Sequence, residues 1–322
     1  MTTSSDRSEI LLAGLDGSNP LAFLAALGTL RLAGRNALGA DPLLGWRRHV
    51  GGWRPILSLA ARLTPEAFVT DLTHSLQELG ENPALHFADD LNVPLDRFRR
   101  VSLEAQAEAT RGDREAADFA AAFGCDRLAD PNSPKEALQD TALRTMSGAG
   151  HQHFLKSMRQ VLETVTPDHV SKTLFNRWRY DDPVENLTLR WDPADDTRYA
   201  LRWRNPSGDP ARKRGGSMLG ANALAIAGLP LLTTAPVGRR LRTTGFSGTG
   251  RSNTFWTWPI WEPTIPLDVV RSLLALESLQ PDPPHRVEPE RRDLHPRGVV
   301  DVYRSQRLTV GKYRNFSPAV AV

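Results

Sequence analysis

The sequence predicts an α+β fold, a mixed architecture of mostly antiparallel sheets with hairpins and packed helices. Three observations carry this expectation. Capped, periodic helical stretches recur along the chain, strand-like runs pair across short turns as hairpins, and no repeat at solenoid periods is visible. Composition and charge divide the chain into an N-terminal α+β region, 1–130, and a basic α+β region, 131–322, which also read together as one intimate domain.

The elements follow in order. EILLAGLDG reads as a short strand closing in a turn. SNPLAFLAALGTLRLAGRN is a helix: Ser18 or Asn19 supplies the cap, Pro20 sits in the first turn, and Asn36 follows the last periodic residue. Its apolar positions Leu21, Leu24, Ala25, Leu27 and Leu32 run round much of the cylinder, which predicts burial. Ala22, Ala25, Ala26 and Gly28 leave room for a close neighbour. LLGWRRHVGGWRPILSLA reads as a hairpin turning at Gly51 and Gly52. TPEAFVTDLTHSLQELGE is a helix capped by Thr64, opened by Pro65 and stopped by Gly80. ALHF reads as a short strand, and the Ala/Glu/Arg-rich stretch from Pro94 to Phe123 as helical. ADPNSPKEALQDTA has the composition of a surface linker and marks a soft boundary.

Further along, HQHFLKSMRQVLETV places Phe154, Leu155, Met158, Val161 and Leu162 on one helical face. NLTLRWDPADDTRYALRWRNP reads as a hairpin. Leu187, Leu189 and Trp191 alternate with Thr188 and Arg190, and Tyr199, Leu201 and Trp203 alternate with Arg202 and Arg204. A small-residue helix (SMLGANALAIAGL) precedes strands around 231–235, 241–246 and 254–258. The helix PLDVVRSLLALESL and a Pro-rich spacer then lead to a last hairpin, GVVDVYRSQRLTVGKYRNF.

At 322 residues and 40% hydrophobic, the chain has material for a sizeable core. Cys125 is the single cysteine, which excludes an internal disulfide and a Cys-rich zinc site and fits a reducing compartment. No run approaches the roughly 18 apolar residues of a membrane span. The opening residues lack the pattern of a signal peptide, so a soluble cytoplasmic protein with no membrane partner is expected. Only five of the forty basic residues are lysine. Arginine forks onto phosphates and stacks on bases, although a GC-rich genome produces the same bias. Placement says more. Residues 81–140 carry thirteen acids against seven bases, whereas Thr197–Arg251 holds ten bases and one acid, Asp209. A basic segment of that kind faces a polyanion.

The stretch RLRTTGFSGTGRSNTFWTWPIWEP concentrates the question. Gly245, Gly248 and Gly250 lack the following Lys-Ser/Thr and the strand-to-helix setting of a nucleotide loop. They read instead as a turn whose amides, with Arg242 or Arg251, meet a nucleic-acid phosphate. Trp256 and Trp258 share a strand face. They read as core, with base stacking the alternative, while Pro259 and Pro263 limit how far a central strand runs. His151 and His153 begin a metal site that nothing nearby completes. The start of that helix offers its amides, with Lys156, to an anion. The pairs Asp89-Asp90 and Asp195-Asp196 read as solvated turn acids.

Several stretches together, LDGSNPLAFLAALGTLRLA, SGAGHQHFLKSM, GSMLGANALAIAGLPLL, GFSGTGRSNTFWTWPIWEPTIPLDVVRSLLAL and VYRSQR, occur in an order that resembles the small CRISPR-associated proteins of type I, subtype I-G (formerly I-U). These include the Cascade large-subunit-like members and the related extension of the helicase–nuclease. The resemblance implies a non-enzymatic subunit of an RNA-guided antiviral complex. Such a subunit contacts guide RNA or target DNA and other effector subunits, or helps recruit the helicase–nuclease. None of the motifs is catalytic, and the chain is short for a full large subunit. Charge placement, rather than the family, nominates Arg202, Arg204, Arg212, Lys213, Arg214, Arg239, Arg240, Arg242, Arg251 and Lys156 as nucleic-acid contacts. No catalytic residue, cofactor or metal is expected. The alternatives are a protein–protein adaptor that recruits the helicase–nuclease without touching nucleic acid, and a metal-dependent enzyme built on His151, His153 and Asp181.

Overall fold

The computed structural model describes residues 7–35, 41–131, 133, 135–146, 153–182, 187–195, 216–248, 250, 253–281, 289–310 and 313–322. It is α+β with antiparallel sheets, as the capped helices and hairpins predict. Among these residues, no helix is long and apolar enough to cross a membrane.

β1 (Ser8–Leu11), β2 (Leu43–His49) and β3 (Gly52–Leu59) form most of the first sheet, in the order β1-β3-β2, with the short strand Ile265–Pro266 completing it beside β2. The β2–β3 turn falls one residue earlier than the sequence predicts. His49 pairs with Gly52, and Val50 and Gly51 occupy the loop at φ +44° and +78°, so both adopt the left-handed geometry of a two-residue hairpin turn. α1 (Pro20–Ala33) starts on Asn19, whose side chain accepts from the Ala22 N–H, with Pro20 at the first position where its missing donor costs nothing. Every residue of α1 is buried.

α2 (Pro65–Gly80) is capped by Thr64 as predicted. The ALHF stretch is no strand: α3 (Pro83–His86) is a single helical turn, capped by Asn82 and opened by Pro83. α4 (Leu95–Thr110) and α5 (Glu115–Phe123) replace one long helix, separated at Gly112, whose φ is +109°. β4 (Gly124–Ala129) and β5 (Leu138–Asp140) pair across the Pro-rich stretch. Buried residues from before and after position 130 belong to one hydrophobic cluster.

α6 (Phe154–Thr164) buries the five residues its periodicity selects, and α7 (Pro167–Phe175) follows directly. Over the described half of the expected 187–204 hairpin there is no strand. Arg190 sits at φ +58°, the Leu189 N–H donates to the buried Asn222 side chain (2.9 Å), and the Trp191 Nε1 donates to the Leu143 carbonyl (2.9 Å). Apolar alternation there marks separate insertions into the core. The second arm lies outside the described residues.

α8 (Leu219–Gly228) is, like α1, buried on every side, and the two helices pack along each other. Then come β6 (Thr234–Val237), β7 (Arg240–Thr243), β8 (Phe246–Ser247), β9 (Phe255–Trp261), β10 (Ile265–Pro266), α9 (Leu267–Leu274), α10 (Arg291–Leu294), β11 (Val299–Val310), β12 (Tyr313–Phe316) and β13 (Val320–Ala321). The second sheet runs β12-β11-β9-β8, with β13 also on β11. β8 covers only Phe255 and Trp256, so Pro259 falls where β9 pairs on β11 alone. α1 sits where the two sheets converge: the Phe23 ring lies 5.8 Å from Trp46, 5.7 Å from Trp258 and 6.4 Å from Trp261.

Candidate nucleic-acid interface

The tryptophans of the 240–263 stretch are core. Trp256, Trp258 and Trp261 are fully buried. Trp258 Nε1 donates to the Gly17 carbonyl (2.9 Å) and Trp261 Nε1 to that of Leu44 (2.8 Å). All three rings bury their apolar bodies, and Trp258 and Trp261 also satisfy their one donor, which leaves none of the three for base stacking. They anchor a turn in which Gly245, Gly248 and Gly250 all have positive φ (+81°, +72° and +89°). Such backbone is strained for any residue with a Cβ.

Beside this turn stands the β6–β7 hairpin. Its two-residue loop is Gly238-Arg239, glycine first at φ +61°, and it exposes Arg239 and Arg240. Arg240 and Arg242 share one face of β7, and Arg242 Nη2 reaches the Gln280 carbonyl at 3.5 Å. β7 is also fastened to β5 and to the chain just after it. Gln139 accepts from the Leu241 N–H (2.8 Å) and donates to the Arg239 carbonyl (3.2 Å), and the Ala142 N–H donates to Thr243 Oγ1 (2.9 Å). The hairpin is therefore a braced platform.

Of the other predicted contacts, Lys156 is exposed on α6, whose main neighbours are α2, α3 and α8. The structure does not bring it to the hairpin. The Leu155 and Lys156 N–H groups both donate to the Asp89 carbonyl at 3.1 Å, so two of the amides offered to an anion are engaged. Arg202, Arg204, Arg212, Lys213, Arg214 and Arg251 lie outside the described residues.

Sequence reasoning missed a second basic group. Thr141–Met146 crosses between the β6–β7 hairpin and the end of the second sheet, and three of its carbonyls accept from side chains far along the chain. Ala142 accepts from Arg307 Nη1 (3.1 Å), Leu143 from Trp191, and Arg144 from Arg314 Nη1 (3.2 Å). The Arg307 N–H in turn donates to the Thr254 carbonyl (2.8 Å), and Thr254 Oγ1 to that of Gly250 (2.8 Å). Hairpin, glycine turn and the Arg307–Arg314 end of the sheet are thus joined through a few hydrogen bonds.

Electrostatics distinguish these arginines from Arg144. Arg144 lies between Asp90 (2.9 Å) and Asp140. Burial opposes its charge, but Asp140 and Asp90 outweigh burial and hold its pKa above the ordinary value. Asp90 is no solvated turn acid: its burial raises its pKa despite Arg144. Among the described residues, Arg307 has no such carboxylate. Burial first, and then the neighbouring Arg314 charge, push its pKa down to about 10, with only Asp140 acting the other way. A guanidinium shifted in that direction sits where positive charge is under-compensated.

The residues of the metal-site alternative fall only in part within the described residues. His153 is the N-cap of α6 and His151 lies outside the described residues. Among the described residues no three His, Cys, Asp or Glu side chains gather to hold a metal ion. Next to Asp181, Asp182 accepts from the Leu219 N–H (2.7 Å) and serves as the anchor of the α8 start. No known protein family, no curated protein and no solved structure matches the chain.

Proposed function

We propose that this protein is a non-catalytic subunit of a type I, subtype I-G CRISPR antiviral complex that grips the sugar–phosphate backbone of guide RNA or target DNA and docks other effector subunits. In such complexes base pairing reads sequence, and protein supplies backbone contacts and strand stabilisation. The ordered motifs of the sequence support the assignment to that system. The observation that carries backbone binding is the joining of three elements through a few hydrogen bonds: the hairpin with the exposed Arg239 and Arg240, the glycine turn, and the under-compensated guanidinium of Arg307 with Arg314 beside it. Cations beside a glycine-rich turn are a setting suited to phosphate contact.

The test is binding of the full chain to labelled single-stranded RNA, single-stranded DNA and duplex DNA across a salt titration. The wild type is expected to bind with an affinity that falls steeply with salt. The Arg239→Glu/Arg240→Glu double variant should lower the slope of log K against log salt by roughly two. No binding to any of the three at low salt overturns backbone contact in favour of the adaptor role.

A further inference from the structure

The end of the β11–β12 hairpin holds unused polar groups of a particular kind. Thr309 lies directly opposite Arg314, and Arg307 opposite Phe316, so Arg307, Thr309 and Arg314 share one face, the two arginines as diagonal neighbours. Arg307 spends Nη1 on the Ala142 carbonyl, but its Nε is shielded from solvent and has no hydrogen-bond partner among the described residues. Thr309 Oγ1 is likewise shielded and unpartnered. Buried polar atoms are ordinarily satisfied, so two adjacent exceptions on one face need a reason. Charge gives it: among the described residues, around the 141–146 segment stand the three guanidiniums of Arg144, Arg307 and Arg314 and the two carboxylates of Asp90 and Asp140, and both carboxylates are committed to Arg144. One monoanion would balance the group.

We propose that Arg307, Thr309 and Arg314 form a seat for a single phosphate group, filled by one phosphodiester of the bound nucleic acid. Arg307 Nε–H and Thr309 Oγ1–H donate to its oxygens, and Arg314 adds charge. The phosphodiester identity rests on the backbone-binding function proposed above; the phosphate chemistry rests on the seat alone. The ligand contributes no base contact here, so the seat fixes register without reading sequence.

Two variants test it, Arg307→Gln and Thr309→Val, the second nearly isosteric and expected to fold. With the three labelled nucleic acids, R307Q should weaken binding about tenfold for every sequence. It should also lower the salt slope by roughly one. T309V should weaken binding about fivefold with the slope unchanged, while raising the thermal midpoint of the free protein, because it removes an unsatisfied hydroxyl. Wild-type affinity and slope in both variants overturn the seat and leave backbone binding standing. Should the wild type bind none of the three nucleic acids, the proposed function fails and inorganic phosphate decides the seat. A rise in the wild-type midpoint in phosphate over chloride of equal ionic strength, absent in both variants, supports it, and no such rise overturns it.

Discussion

Gly28→Ala tests the centre of the fold. α1 and α8 approach so closely that a Cβ on Gly28 would stand 1.7 Å from the Leu224 carbonyl oxygen, 2.8 Å from its carbonyl carbon and 3.0 Å from the Gly228 nitrogen. These are backbone atoms and cannot swing aside. Carbon meets carbonyl oxygen comfortably at about 3.3 Å, so the helices must part by about 1.5 Å. A gap of even half that size forfeits about a quarter to a half of the dispersion attraction across it, and both helices are buried throughout. Overpacking of this severity costs about 3 kcal/mol or more. Alanine returns about 1 kcal/mol of helix propensity. The net expectation is a loss of about 2 kcal/mol or more, read from urea unfolding by tryptophan fluorescence and far-ultraviolet circular dichroism. Gly80→Ala is the control: it is also helical, but its Cβ would meet only the Leu162 Cβ at 3.5 Å, an ordinary contact. A G28A protein as stable as wild type, or one destabilised no more than G80A, would refute the close-packed helix pair.

Three further outcomes are expected. Val50 is β-branched, 85% exposed and held at φ +44°, so Val50→Asn, which tolerates that geometry in a hairpin turn, should stabilise by about 1 kcal/mol in thermal melts; a loss of stability would contradict the turn. Arg144→Met leaves Asp90 and Asp140 buried without their shared cation and should cost about 3 kcal/mol in urea unfolding, whereas a neutral result would place those carboxylates in water. Burial raises the Asp16 carboxyl, but hydrogen bonds from Arg54 and Ser18 outweigh it and leave its pKa below the ordinary value. Because that folded pKa is depressed, its stabilisation is full above about pH 4 and fades as pH falls through the folded value. The stability gap between wild type and Asp16→Asn should therefore be constant near neutrality and close in acid; a gap independent of pH across the acid limb would assign the effect to packing.

How much of this was legible depends on how local the cause was. α1 and α2 announce themselves because Asn19-Pro20 and Thr64-Pro65 satisfy and pre-shape a helix start within a few residues. The same signal stands at Asn82-Pro83, but ALHF is too short to show a period, and the capped turn reads as a strand from sequence alone. The 187–191 stretch misled for the opposite reason. Its alternation is real, yet the hydrogen bonds that hold Leu189 and Trp191 in place go to Asn222 on α8 and the carbonyl of Leu143, partners that no window along the chain contains.

The candidate interface divides along the same line. Counting charge by segment selects side chains that reach solvent, and so it found Arg239 and Arg240 at a hairpin tip. It gave no reason to separate Arg144, Arg307 and Arg314, which are ordinary arginines in ordinary surroundings when read along the chain. Their difference is set by what folding places beside them. Arg144 receives two carboxylates, one of them from position 90, while Arg307 receives a backbone carbonyl 165 residues away and the charge of Arg314. Paired, a buried guanidinium is structural; left short of a counter-charge, it favours an anion from outside. The property that makes a phosphate site is thus an imbalance between distant parts of the chain, which a residue's own neighbours in sequence do not encode.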